Sequence, residues 1–367
     1  MEVLRFQKMI TSYDVGSLPL EGNMEKLKKT SSLSMSDYFR ERVVQGFIDK
    51  VNMGIDIPNY PQYRDMNEMF LEMMDGIIKT KDGYEMEEKP TLKPHFSKIT
   101  EMEMLRLNLK EISEKIGKKV QIKMCVTGPY TLSALFTYPN SDIFILLAEV
   151  MVRIIQENVF KEKHGEVCFL SLDEPLLGMV DDVRLDFSSQ GREILIKAWE
   201  TIFYQAKTRS LKTSIHLHNT THDFFWQVRF LDVIESHVDD PFYTSNQTKK
   251  TLEKTDKFTK ASISITNFDV LVRQKIKNSL PSNVSIEQRI GEIWKEIKHG
   301  KTNPEFFLED VSLMEKRLNK VVKHFGVERV IYAGPECGLG GFPSYNCALE
   351  CLRRTSQAIK NVNKQLT

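Results

Sequence analysis

Short runs of apolar and β-branched residues recur along the chain. Each closes on polar or glycine residues and is followed by a longer segment with apolar residues at helical spacing. Eight such runs lie near Ile10 to Val15, Met53 to Ile57, Val120 to Val126, Val167 to Leu172, Thr213 to Leu217, Leu231 to Ile234, Ala261 to Ile265 and Arg329 to Ala333. Several intervening segments open with capping chemistry: Ser36 before a helix to about Lys50, Ser141-Asp142 before a long amphipathic helix, and Ser285-Ile286-Glu287-Gln288 as a capping box. Eight alternating β and α units without a strong linker predict a TIM-type (β/α)8 barrel, one domain over residues 1–367, rather than an open sheet with a second domain. Lys79 to Ser97 breaks the rhythm. It is rich in Lys, Asp, Glu, Gly and Pro, is too long for an ordinary connection, and reads as an excursion of hairpin form near the barrel mouth. Met66, Met69, Met73 and Met74, at nearly helical spacing, read as core or cavity wall.

Composition limits the function classes. With 41% hydrophobic and 28% charged residues, the 367-residue chain has the material for a large core. Fifty-one basic residues balance fifty acidic ones, so the broad positive field that nucleic acid requires is missing, and no nucleic-acid partner is predicted. The longest apolar run, Ile143 to Ile155, carries Glu149 and Arg153 and falls short of a membrane span, so no membrane partner is predicted either. The Met1 to Arg5 start lacks the features of an export signal, and five cysteines without a C-x-x-C pair argue against a disulfide framework. A reducing cytoplasm is the predicted location.

In a barrel of this kind, chemistry collects at the carboxyl ends of the strands. The residues there are Asp14, Gly16 and Ser17; Asn59 and Gln62; Thr127-Gly128-Pro129; Asp173-Glu174-Pro175; His216 and His218; Glu235 and His237; Asn267 and Asp269; and Gly334 to Gly338 with Cys337. Four of the eight histidines fall between His216 and His237. Imidazole, carboxylate and thiolate together suit zinc, and residues two apart in an extended segment point the same way. Spacing alone leaves a second reading open, in which these are ordinary polar strand ends and Cys337 is a buried free thiol. Asp173-Glu174-Pro175 is likewise either a carboxylate placed to meet a substrate amine or proton, or a helix cap. Gly338-Leu339-Gly340-Gly341 lacks the G-x-G-x-x-G pattern and any Walker lysine, so no nucleotide site is predicted.

Taken in order, these motifs resemble the catalytic half of cobalamin-independent methionine synthase, in particular the short single-barrel members of that superfamily. The resemblance runs from Asp14 to about Arg354. It rests on Asp14-Val15-Gly16-Ser17-Leu18-Pro19, Gly54-Ile55-Asp56 with Gln62-Tyr63-Arg64-Asp65-Met66, Thr127-Gly128-Pro129-Tyr130-Thr131-Leu132, Leu172-Asp173-Glu174-Pro175 and Gly334-Pro335-Glu336-Cys337-Gly338-Leu339. It implies a zinc-dependent S-methyltransferase that converts homocysteine to methionine. The zinc ligands it implies are His216, His218, Glu235 and Cys337, with His218 standing where the family usually has cysteine. An ungapped count puts His237 opposite the family glutamate, so the third ligand is Glu235 or His237. Asp173 would bind the substrate ammonium, Ser17 its carboxylate, and Gln62 would assist the amino-acid end. Asp269 would replace a proton-transferring histidine that the family carries after its seventh strand. The folate-using enzymes are much longer and use a second barrel, so the resemblance implies a methylcorrinoid donor, delivered free or by a corrinoid protein. The alternatives are a zinc alkyltransferase acting on another thiol, and a non-catalytic homologue that binds an amino acid or a partner subunit.

Overall fold

A computed structural model describes residues 9–20, 37–179, 181–187, 189–277 and 285–366. Nine strands are present among these residues: β1 (Thr11–Ser12), β2 (Met74–Lys79), β3 (Tyr84–Leu92), β4 (Val120–Thr127), β5 (Gly165–Glu174), β6 (Lys212–Leu217), β7 (Val233–Glu235), β8 (Phe258–Ser264) and β9 (Val330–Pro335). Seven of them form a sheet in the order β1-β9-β8-β7-β6-β5-β4, with parallel pairings and helices between strands. The fold class is α/β of TIM-barrel type, as the alternation of apolar runs predicts. By contact density the chain forms two compact units, residues 1–63 with 261–367, and residues 64–260; β8 runs from the second into the first.

In the first unit, β1 pairs with β9 through Thr11↔Tyr332 and Ser12↔Ala333. The run near Met53 to Ile57 does not become a strand, and only the single bridges Tyr13↔Ile57 and Ser17↔Gln62 remain. Side chains take the place of the ladder here. The Asp56 carboxylate accepts the Ser12 N–H (2.8 Å), and the Asp14 carboxylate accepts the Asn59 N–H (2.8 Å). Pro58 and Pro61 have no N–H to contribute. Helix Asp37–Asn52 buries Phe39, Val43 and Phe47, and helix Tyr345–Leu366 buries Cys347, Cys351, Leu352 and Ile359. Ser36, predicted to cap the first of these, lies outside the described residues.

In the second unit, the excursion is an antiparallel hairpin, β2 with β3, beginning at Met74 rather than Lys79. Tyr84 anchors it by packing on Phe136 (6.1 Å between ring centroids), while its N–H donates to the Leu135 carbonyl. Met69, Met73 and Met74 are buried, as the core reading predicts, although the helix there is only Glu68–Leu71. The helix Ile143–Asn158 is started by Asn140, whose side chain accepts the Ile143 N–H, and not by Ser141 or Asp142. Ser285, in the first unit, caps helix Ile286–Lys298 as predicted, by accepting the Gln288 N–H. No helix among the described residues is long and apolar enough to cross a membrane.

Gly128 joins β4 to the short helix Pro129–Ser133. A Cβ added there would lie 2.1 Å from the carboxylate of Glu174, which is fixed by the N–H groups of Tyr130 (3.0 Å) and Thr131 (2.7 Å) and by the Trp199 indole (2.8 Å). Gly128→Ala should therefore destabilise the fold by about 1–3 kcal/mol, the range for overpacking. Gly291→Ala, in a helix with open space around the new methyl group, should be neutral or gain about 0.5–1 kcal/mol. Urea denaturation of the two variants checks the contrast.

Candidate functional site

Parallel pairing in the second unit sets Thr127, Asp173, His216 and Glu235 side by side: Thr127↔Asp173, Asp173↔His216, His216↔Glu235. Residues paired across a sheet share a face, and so do residues two apart along a strand. His218 and His237 therefore continue the row one step beyond the strand ends.

Asp173 is nearly buried and accepts the Ser171 hydroxyl (2.8 Å). Burial pushes its carboxyl up from the usual range, and the nearby His216 and Lys123 partly offset the push. Glu174, its neighbour, faces the opposite way and holds the start of helix Pro129–Ser133. Glu174 thus acts as a cap, for the helix that follows β4, while Asp173 lies in the polar row.

The imidazoles of His216, His218 and His237 form a ring of three. Centroids are 5.5 Å apart for His216–His218, 6.0 Å for His216–His237 and 4.1 Å for His218–His237. Each offers a nitrogen within 4.8 Å of the others. The His237 Nε2 is buried and has no hydrogen-bond partner among the described residues. Burial, with the neighbouring rings adding to it, lowers His218 to about 3 and His237 to about 4. Both rings are neutral near pH 7 and carry lone pairs available to a cation.

Glu235 has a different set of contacts. It is fully buried, its Oε2 accepts the buried Lys260 Nζ at 2.5 Å and lies 3.8 Å from His216 Nδ1, and its Oε1 accepts the Ser214 hydroxyl at 3.4 Å. Burial alone would raise its pKa, but Lys260 and His216 overcome that and hold the carboxyl well below the usual range. Of the two residues predicted for the third ligand position, the structure brings His237 to the other rings and joins Glu235 to Lys260.

In the first unit, Ser17 and Gln62 come together. Gly16 has φ +149°, and a Cβ there would meet Gln62 Oε1 at 2.5 Å and Asn59 Nδ2 at 2.6 Å. Beneath this turn the buried Lys50 Nζ donates to Asp14 Oδ2 (2.7 Å), Gly16 O (2.6 Å) and Asn59 O (3.1 Å). The Ser17 hydroxyl accepts the Gly340 N–H (3.1 Å), so the glycines after β9 serve as a tight loop against Ser17. Cys337 is a half-buried thiol, in no disulfide, just past β9. Asp269 is exposed in the first turn of helix Phe268–Ile276 and accepts the Trp294 indole N–H (2.6 Å); the structure does not bring it to Ser17 and Gln62. Sequence reasoning missed the buried lysines Lys50, Lys123 and Lys260. The signal available for one of them was a lysine in the middle of the run Val120 to Val126, which is apolar apart from it and Gln121.

Fold and side chains define an α/β barrel protein with a ring of three histidines beyond its strand ends. No family model matches the chain. The 5-methyltetrahydropteroyltriglutamate--homocysteine methyltransferase of Buchnera aphidicola subsp. Schizaphis graminum (strain Sg) is 23% identical over 235 residues, covering 59% of this chain and 30% of that protein. The structure of a B12-independent methionine synthase from Shewanella sp. W3-18-1 in complex with selenomethionine shares the fold, with a TM-score of 0.58 at 14% identity over 98% of this chain and 99% of that chain. The chain is thus similar in part of its sequence to the first of these proteins, of which it spans under a third, and in its fold to the second.

Burial raises Glu174 to about 7 from its ordinary 4.5, against the pull of its three N–H donors. A carboxyl held above its unfolded value contributes stability that is complete below about 4.5 and is lost as the pH rises through about 7. Stability should fall over that window. Glu174→Gln should flatten the fall, as measured by urea denaturation at pH 5 and pH 8.

Proposed function

We propose that the chain is a zinc-dependent S-methyltransferase that methylates homocysteine to methionine. The observation that carries this reading is the ring of His216, His218 and His237, two of them held neutral by burial, with a buried ring nitrogen of His237 that no protein group satisfies. Imidazole donors suit zinc, and the resemblance adds Cys337 as a thiolate ligand. His218 in a position usually held by cysteine keeps a ligating atom there. When bound, zinc supplies the charge that keeps a substrate thiol ionised at neutral pH. Asp173 meets the substrate ammonium with its buried carboxylate. Ser17, held against the backbone of Gly340, and Gln62 take up the carboxylate end. Together these contacts orient the substrate sulfur, which gains the methyl group as the methyl's bond to its carrier breaks.

Two donors are in question. The curated relative is named for 5-methyltetrahydropteroyltriglutamate and the structural relative is titled B12-independent. These names favour a methylated pteroylglutamate, and the methylcorrinoid donor and corrinoid-protein partner inferred from sequence find no support in them. Purified protein with zinc and homocysteine, given either methyltetrahydropteroyltriglutamate or methylcobalamin, tests both acceptor and donor. Methionine formed with the pteroylglutamate supports the reading. Methionine formed only with methylcobalamin restores the corrinoid, and none with either donor removes the transferase.

The ligand set makes a separate prediction. His218→Ala with His237→Ala should leave less than about one-tenth of the wild-type zinc after dialysis, measured by atomic absorption, because a tetrahedral site loses two of four donors. Full activity in metal-free protein would overturn the reading. Asp173→Asn should raise the KM for homocysteine by about 10- to 100-fold, the worth of a hydrogen bond to a charged group.

A further inference from the structure

Strand β7 and the residues after it offer two ligands of different charge, Glu235 and His237, to one position. Something must choose between them. Glu235 is engaged on several sides: Lys260 Nζ at 2.5 Å on Oε2, Ser214 Oγ at 3.4 Å on Oε1, and His216 Nδ1 at 3.8 Å from Oε2. Lys123 adds a second buried positive charge that acts on the same carboxylate. Lys260 and Glu235 are both fully excluded from solvent, and separating such a pair leaves a buried charge uncompensated. The carboxylate lies 3.8 Å from His216 Nδ1, an electrostatic contact longer than a hydrogen bond, close enough for a small shift to make it the outer carboxylate that steadies a ligating imidazole.

We propose that Lys260 is a positioning residue that selects the metal's ligands: by fastening Glu235 behind His216, it keeps the carboxylate off the metal and leaves the third place to His237. The proposal rests on the zinc reading above. It makes Glu235 a support for His216. It also explains how one strand end can carry both ligand types without ambiguity.

Zinc-loaded wild-type protein, measured by X-ray absorption, should show scattering from three imidazoles and one sulfur; two imidazoles in place of three would overturn the proposal. Lys260→Met should free the carboxylate to enter the metal's shell. The visible spectrum of the cobalt-substituted variant should then shift, and its affinity for cobalt should rise about tenfold. Lys260→Met combined with Glu235→Gln should restore the wild-type spectrum. A Lys260→Met protein that folds and gives the wild-type spectrum would overturn the proposal, and if the variant does not fold, the imidazole count in the wild type decides. Wild-type protein that takes up neither zinc nor cobalt would overturn the functional reading itself. That outcome is distinct from uptake with the wrong ligands.

Discussion

Every polar group in the second unit's row is placed by the register of parallel pairing. Val126↔Leu172↔Ile215↔Ile234 and Thr127↔Asp173↔His216↔Glu235 are consecutive rungs, apolar then polar. Because side chains alternate faces along a strand, a one-residue slip that moved Val126, Leu172, Ile215 or Ile234 into the row would carry that strand's polar member to the helix-covered face. Both faces are buried, so such a slip would bury charges on one side and lose apolar packing on the other. The register is thus held by hydrophobic burial. The chemistry is a consequence of where the apolar runs stop.

Buried charge is the cost that this arrangement must meet. Asp173, Glu235, Lys123 and Lys260 are all nearly or wholly excluded from solvent, and the numbers of carboxylates and ammonium groups are equal. The first unit repeats the solution at smaller scale, where Lys50 neutralises Asp14 and binds the backbone carbonyls of Gly16, in the turn that carries Ser17, and of Asn59. Pairs of this kind add little net stability over an apolar alternative, but losing one partner is costly. In both units the ammonium group fixes a position: Lys50 that of the Gly16 turn, Lys260 that of a carboxylate.

Much of the fold was legible because apolar runs and helical periodicity are strong signals, and seven of eight predicted strands formed. The eighth failed for a local reason. Asp56 and Asp14 took with side chains the N–H groups that a ladder would have used, and period-two patterning cannot reveal that competition. The histidine cluster was legible as a density of ligand-type residues near two strand ends. Which of Glu235 and His237 lies with the other rings was not, because Lys260, which holds Glu235, comes from the next strand and is recognised only once pairing is known. Asp269 was read from its position after a strand, which does not reveal that Trp294, in a later helix, holds it at an exposed place.

The charge of the proposed ligand set follows from these placements. Three neutral imidazoles and one thiolate bring one negative charge to a divalent cation, whereas a set containing Glu235 in place of His237 would bring two. With Glu235 neutralised by Lys260, the proposed ligand shell keeps one more unit of positive charge, among side chains that are buried or half-buried. An incoming anionic sulfur then gains more from the site than it would beside a second carboxylate, since attraction between charges strengthens as the effective dielectric falls. The same attraction withdraws electron density from the sulfur and lowers its reactivity. Under the proposed ligand set, exchanging a carboxylate for an imidazole therefore trades nucleophilic strength for capture of the thiolate, and the lysine on β8 would be the residue through which the trade is made.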